Sequence, residues 1–337
     1  MSDVTNYMLG SQQVSEVYCG PTKIWPKIPN VYFYIDTAHN TFGVDDNLYA
    51  EVLCTEYDGN THYPQTLYYS YDQTNWNTAN IDSYVTYTYN ISGWTYIYER
   101  AVVRIPISSY NRVYLKGNLT PVTTSTNSYA SPSQVEFNRG IIYKMFSEYV
   151  SPVDSVHYAN NISVGGNICS LIYGDIAHDT IPSGYSYVFS ELFGDGYIPT
   201  SSSVQDISNV ILPNNVTEGC YMRLFANMPS ITYAPALRAS TLAPKCYWQM
   251  FGGCSSLTFA PLLRASVLEA DCYRGMFYDC SLLQSVICLA TDISAARCTF
   301  DWLYDVAQNG KFVKAASTSW TTGTSGIPSD WTCVDAS

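Results

Sequence analysis

The phrase CYMRLF at Cys220 returns as CYWQMF at Cys246 and as CYRGMF at Cys272, at a constant interval of 26 residues. The first two copies agree at 12 of 26 positions without a gap, so the interval is a property of the chain and not of its composition. A decayed fourth copy opens at Cys298. Whole columns recur with it: Leu224, Met250 and Met276; Phe225, Phe251 and Phe277; Ile231, Leu257 and Leu283; Leu237, Leu263 and Leu289. A unit this short cannot enclose its own apolar face, so a period in this range marks a chain that buries each unit against the next. Within a unit, apolar residues at positions 1, 5 and 6 share one face of a short helix. SITYAP and SLTFAP then alternate as a brief strand, ended by Pro235 or Pro261, which withdraws a ladder donor. One helix and one strand per unit predict a stacked α/β coil; a propeller blade needs more strand and more residues.

The flanks read as covers for such a stack. VFSELF (Val188 to Phe193) resembles the repeated phrase, followed by a six-residue expansion, and predicts an N-terminal capping coil. Past residue 298 the repeat is abandoned, and Trp302, Phe312, Trp320 and Trp331 can cover the far end, with Asn309-Gly310 as a hairpin signal between two halves of the cap. Upstream, NVYFYIDT, LYAEVLCTEY, TLYYSYD, YVTYTYN, WTYIYERAVVRIPI and RVYLKG are short alternating runs separated by turn residues, the pattern of an antiparallel sandwich. The first 28 residues are too few for a core. They predict two short strands around Gly20-Pro21, forming an arm that docks elsewhere. The organisation is therefore a docking arm (1–28), a β-sandwich (29–117), a connecting and capping segment (118–186), a repeat stack (187–297) and a C-terminal cap (298–337).

Composition narrows the function. With a net charge of -12 the chain lacks the clustered Lys and Arg on which nucleic-acid affinity rests. No stretch approaches the roughly 20 apolar residues of a membrane span, and MSDVTNYMLGSQQ has neither the positive nor the apolar region of a secretory signal, which predicts folding in a cytoplasm. Most of the 11 cysteines fall within the repeated region and none forms a CxxC pair, so they read as buried thiols acting as small apolar groups, with disulfides in part of the set as the alternative. His39, His62, His157 and His178 stand in no metal-ligand spacing, and GDGY near Asp195 and VDDN near Asp45 are incomplete as calcium loops. Neither a cofactor nor a metal is expected, and no nucleophile, base and acid set emerges from spacing; the expectation is a non-enzyme. The informative surplus is aromatic. Tyr68, Tyr69, Tyr71, Trp76, Trp94, Tyr96 and Tyr98 crowd the sandwich, and alternation turns about half of them outward, where rigid rings can anchor a glycan or a protein, or pack identical chains together.

The pattern CYxxMFxxCxxLxxAPxLxAxxL resembles the leucine-rich repeats of the BspA-like kind, found in surface and phage-borne proteins associated with Bacteroides-type gut bacteria. The order of parts matches as well: LGSxxVSxVYxGxxxIWP (Leu9 to Pro26), LYYSYDQTNW, VYLKGN, GGNICSLIYGD, the repeats, and a WLYxVAxxGxF…IPxxW ending. Arg238 and Arg264 stand where the family usually has Pro, the third repeat lacks the Ala-Pro pair, and Met228 replaces the second Cys of the first. The resemblance implies a multidomain chain: an Ig-like antiparallel β-sandwich followed by a short α/β leucine-rich-repeat solenoid with a C-terminal cap. It implies a structural protein of a tailed-phage virion, such as a tail fibre, head fibre or capsid decoration. The arm, through Val17, Tyr18, Ile24 and Trp25, would dock on other virion proteins, and the distal part would contact a host surface glycan or protein. A homo-oligomer is expected. A bacterial cell-surface adhesin and, further off, a polysaccharide depolymerase are the alternatives.

Overall fold

In a computed structural model the chain is described without interruption over 204–316 and 318–336. Upstream the described segments are 32–36, 47–57, 62–64, 66–91, 94–106, 112–117, 162–175, 179–183 and 185–193, with short strands at 7–9, 12–14, 17–19, 22–25, 142–143, 147–148 and 157–158. Side chains are described for 32–36, 47, 66–84, 101–106, 112–117, 163–175, 179–183, 185–193 and the two long stretches. Asp45, Asp195, His39 and His178 lie outside the described residues, as do the side chains of His62 and His157.

The two strands expected around Gly20-Pro21 are present, and a further pair precedes them. Strands β1 (Tyr7–Leu9) and β2 (Gln12–Val14) form one antiparallel pair, and β3 (Val17–Cys19) and β4 (Thr22–Trp25) another, with Val17 opposite Trp25. Each of the six alternating runs becomes a strand: β5 (Phe33–Asp36), β6 (Asn47–Tyr57), β8 (Leu67–Ser70), β10 (Asn80–Ile91), β11 (Trp94–Pro106) and β12 (Arg112–Gly117). Between them lie β7 (His62–Pro64) and β9 (Asn77–Thr78), and beyond them β13 (Ile142–Tyr143), β14 (Ser147–Glu148), β15 (His157–Tyr158), β16 (Ile162–Asn167) and β17 (Val204–Ile211). One sheet runs β10-β11-β6-β13, with β7 also on β6; the other runs β17-β16-β5-β12-β8-β9. Val103 and Ile105 of the first and Phe33, Ile35, Val113 and Leu115 of the second are fully or almost fully buried in one core. The second sheet is mixed, because β16 lies antiparallel to β5 but parallel to β17. It therefore draws strands from three of the segments separated on sequence, and a parallel partner 37 residues downstream leaves no local signal.

The repeats stack, but not through helices. The only helix among the described residues is the single turn α1 (Ser170–Tyr173), so the helix expected at each CYxxMF phrase is replaced by a run of turns. The hydrogen bonds give the reason. Met222, Leu224 and Ala226 donate three residues back along their own coil, while Tyr221, Arg223 and Phe225 donate to Cys246, Trp248 and Met250 of the next. Every fourth residue takes positive φ: Gly219, Arg223 and Asn227, then Lys245, Gln249 and Gly253, then Asp271, Gly275 and Asp279, then Arg297, Asp301 and Asp305. An α-helix tolerates neither feature, since each interior N–H must reach four residues back and each φ must be negative. Spending alternate donors on the neighbour makes every coil depend on the next.

Opposite the turns, the chain forms parallel rungs. Tyr233 bridges Phe259, and Phe259 bridges Ser285. Rungs carrying Pro235 and Pro261 remain isolated bridges; the third copy has Ile287 in that column, keeps its donor, and forms the strand β18 (Ser285–Cys288). It continues in parallel into β19 (Lys311–Lys314) and β20 (Thr332–Asp335). Asn309-Gly310 therefore turns the chain between parallel rungs, not within a hairpin. Trp331 lies so close that a Cβ on Gly310 would stand 2.3 Å from its ring.

Two aromatic columns fill the stack. Phe193, Phe225, Phe251 and Phe277 follow one another with centroids 5.6, 5.9 and 5.8 Å apart and planes 3°, 15° and 4° from parallel. Phe189, Tyr221, Tyr247, Tyr273 and Trp302 form the second. The imperfect copy at Val188 to Phe193 is thus the first coil, held by Phe189 and Phe193 N–H groups donating to Cys220 and Leu224. Phe33 of β5 touches Phe193 at 5.8 Å, so the column reaches into the second sheet. At the other end Trp302 stacks on Trp320 at 5.3 Å and meets Phe312 edge-on, closing the column.

Candidate functional site

Among the described residues, aromatic side chains with nearby charges stand on the outer face of one sheet and on both sides of the stack. The first of these surfaces is the outer face of the second sheet. Along β5 and β12 burial alternates: Phe33, Ile35, Val113 and Leu115 point inward, and Tyr34, Asp36, Arg112, Tyr114 and Lys116 outward. Trp76 joins this face because Asp72 folds the preceding loop back. Its carboxylate accepts from the N–H groups of Thr74 (2.8 Å) and Asn75 (2.7 Å) and from the Asn75 amide, bonds that hold its pKa well below the usual carboxylate range. Trp76 then meets Tyr32 edge-on at 4.6 Å, and the Lys116 ammonium stands 4.1 Å from its ring centre. Lys116 donates to Asp175 at 2.6 Å, as does the Tyr32 hydroxyl at 3.0 Å, and the Lys116 hydrogen bond keeps the Asp175 carboxyl low. Arg112 repeats the motif, 4.0 Å over the Tyr34 ring and 2.7 Å from Asp36. Tyr34 in turn lies across β16, where a Cβ on Gly165 would meet its hydroxyl at 2.5 Å. Both rings are thus half-buried, each capped by a cation that a carboxylate already neutralises.

Of the aromatics singled out on sequence, Tyr68 and Trp76 lie on this face, Tyr68 opposite Lys116 in register. Tyr69, opposite Leu115, and Tyr71 pack on the core side instead. Trp94, Tyr96 and Tyr98 lie on β11 facing Ile91, Tyr89 and Tyr87 in register; their side chains are outside the described residues. So are those of Val17, Tyr18, Ile24 and Trp25, whose strands pair as stated above.

The second surface went unrecognised in the sequence. On the rung side of the stack Tyr233 and Phe259 are 65% and 54% exposed on successive rungs, and the column continues as Ser285 and Lys311. From residue 235 burial alternates, which turns Arg238 and Arg264 outward beside buried Leu237 and Leu263. A signal was available: the core columns stay apolar through every copy, whereas this one drifts from Tyr and Phe to Ser and Lys.

The turn side is chemically different. Arg223 bridges coils, donating to Glu191 at 3.1 Å and to Gln249 at 2.8 Å, while Asp271 accepts from Arg297 at 2.9 Å. Arg274 lies 4.6 Å over Trp248. Asp279, Asp301 and Asp305 end the row, and burial followed by the charge of Asp305 raises the Asp279 pKa. Inside, the repeat thiols Cys220, Cys246, Cys254, Cys272, Cys280, Cys288 and Cys298 are buried and unpaired. Burial pushes Cys220, Cys254 and Cys288 up to about 12, so none offers a thiolate at neutral pH. Among the described residues no group of His, Cys, Asp and Glu is placed to hold a metal ion, and no helix is long and apolar enough to cross a membrane.

No protein-family model, no curated protein and no solved structure matches the chain.

Proposed function

We propose that the chain is a non-enzymatic structural component of a tailed-phage particle, a fibre or decoration protein fixed by its N-terminal arm and presenting the repeat stack outward. In this reading the two sheets are an Ig-like sandwich and the stacked units a short leucine-rich-repeat solenoid whose helices have been reduced to turns. The observation that carries it is the pairing of a rigid interior with a bare exterior: Phe33, Phe193, Phe225, Phe251 and Phe277 run as one column, while Tyr233 and Phe259 face solvent. A continuous aromatic column holds the outer surface at a fixed distance from the sheet, as a display element requires. Copies of the chain would associate through β10, an edge strand of 12 residues with Ile81 and Tyr84 exposed.

Immunogold labelling of purified particles with antibody against residues 204–336 tests the assignment. Gold on tails or capsids supports it. Unlabelled particles whose dissociated proteins still react with the antibody would remove it, and labelling of the intact bacterial surface would favour the adhesin.

A further inference from the structure

Carboxylates are unevenly distributed between the two sides of the stack. The rung-side segments 229–244, 255–268, 281–291 and 306–314 contain no Asp or Glu, in a chain of net charge -12, and they carry Arg238, Arg264, Lys311 and Lys314. The carboxylates bordering these segments are Asp305, Glu269 and Asp292, the last bridged to Val267 of the neighbouring rung. Among the described residues Lys314 is neutralised on this side, by Asp335 of the cap at 2.5 Å. The turn side holds Glu218, Asp271, Asp279, Asp301 and Asp305, together with Arg223, Lys245, Arg274 and Arg297, which pair with acids on that side. Arg238 and Arg264 occupy the same position of successive copies, both exposed on adjacent rungs. Two outward guanidinium groups on adjacent rungs can converge on one anion, and each offers a fork suited to a carboxylate.

Tyr233 and Phe259 flank this pair with exposed rings. Unlike Trp76 and Tyr34, neither has a cation over it. Between the second and third rungs the backbone is already spent: Ala260 donates to Ser285, Leu263 to Ile287, Gln284 to Thr258 and Leu289 to Leu263. There a peptide strand could not be added through its main chain, which weakens the usual source of affinity for an extended peptide. What remains is recognition by ring faces and guanidinium forks at a regular repeat. That combination suits a polymer of pyranose units carrying carboxylates, whose apolar ring faces stack on aromatic rings while the acid groups take the arginines.

From this we infer that the rung face around Tyr233, Phe259, Arg238 and Arg264 binds an acidic polysaccharide of uronic or sialic acid units. The inference rests on the reading of the stack as a display element and gives that surface its ligand class.

The test uses the full chain and four immobilised probes: polygalacturonate, polysialic acid, neutral dextran and poly-L-glutamate. Retention on at least one of the two acidic polysaccharides and not on dextran is expected, weakening as salt rises. Arg238→Gln with Arg264→Gln should lower affinity at least tenfold, and Tyr233→Ser with Phe259→Ser at least fivefold with an unchanged salt dependence. Arg297→Gln on the turn side should leave binding as it was. All these positions are exposed, and circular dichroism will show each variant folded. Absence of binding to both acidic polysaccharides overturns the inference, as does equal loss in Arg297→Gln or equal retention on dextran. Tighter binding to poly-L-glutamate would assign the face to acidic peptides instead. Labelled particles with no polysaccharide binding would sink this inference alone; binding without labelling would sink the virion assignment alone.

Discussion

Replacing Phe251 by Ala should unfold the repeat stack at much lower denaturant, while replacing Phe259 by Ala, eight residues on in the same coil, should do almost nothing. Phe251 is fully buried between Phe225 at 5.9 Å and Phe277 at 5.8 Å. Truncating a buried Phe costs about 3–5 kcal/mol through lost transfer energy and the cavity left behind. Each lost ring pair adds about 0.5–1.5 kcal/mol beyond area. The neighbours cannot collapse into the space, because alternate N–H groups pin every coil to the next, so a value of about 4 kcal/mol or above is expected. Phe259 is 54% exposed, and surface truncation changes stability by about 0.5 kcal/mol or less. With a urea slope of about 2 kcal/mol per M, the midpoint falls by about 2 M for Phe251→Ala and by about 0.25 M or less for Phe259→Ala. Tryptophan fluorescence follows the transition, since Trp302, Trp320 and Trp331 report the closed end of the column. A loss under about 1 kcal/mol for Phe251→Ala, or equal effects at the two positions, would refute the reasoning.

Three further outcomes follow from the same geometry. Asp279→Asn should raise stability at pH 7 and not at pH 3: the folded-state pKa of Asp279 is raised by burial and Asp305, so its ionisation costs stability as pH rises through the carboxylate range, and Asn tolerates the positive φ there; thermal melts at the two pH values check it. Gly310→Ala should cost about 2 kcal/mol or more, because the new Cβ would sit 2.3 Å from the Trp331 ring, and a urea midpoint equal to wild type contradicts that packing. A thiol reagent should modify Cys333 within minutes and the buried Cys220, Cys246 and Cys272 only after denaturation, as peptide mapping by mass spectrometry will show.

Much of the fold was legible. Alternation located six of the eleven described strands of the two sheets, and self-similarity located the Phe column and the degenerate coil at Val188 to Phe193, but not the Tyr column beside it. The helix failed for a stated reason: apolar residues at positions 1, 5 and 6 suit a helical face and equally a run of turns with a four-residue rhythm. The distinguishing signal was polar. Gly219 and Asn227, then Gly253, then Gly275 and Asp279 fall at four-residue steps, which marks recurrent positive φ. The joining of β16 and β17 to the sheet left no such trace, since their parallel pairing depends on contacts far apart in sequence. The outer aromatics were half legible. Period two separates Tyr68 from Tyr69, but only the Asp72 turn brings Trp76 onto Lys116. The rung face was hidden because sorting side chains by side requires knowing where each coil turns.

Everything here depends on successive 26-residue units lying directly over one another in register. Paired cysteines measure that directly, because bridged neighbours on adjacent rungs come within the Cα separation of about 4.4–6.8 Å that a disulfide requires. Oxidised full-length chain carrying Tyr233→Cys and Phe259→Cys should yield a 233–259 linked peptide in mass spectra, and the Phe259→Cys with Ser285→Cys chain a 259–285 one. Tyr233→Cys with Ser285→Cys, two rungs apart, should yield none. Efficient linkage of 233 to 285, or failure of both adjacent pairs, would contradict the stack.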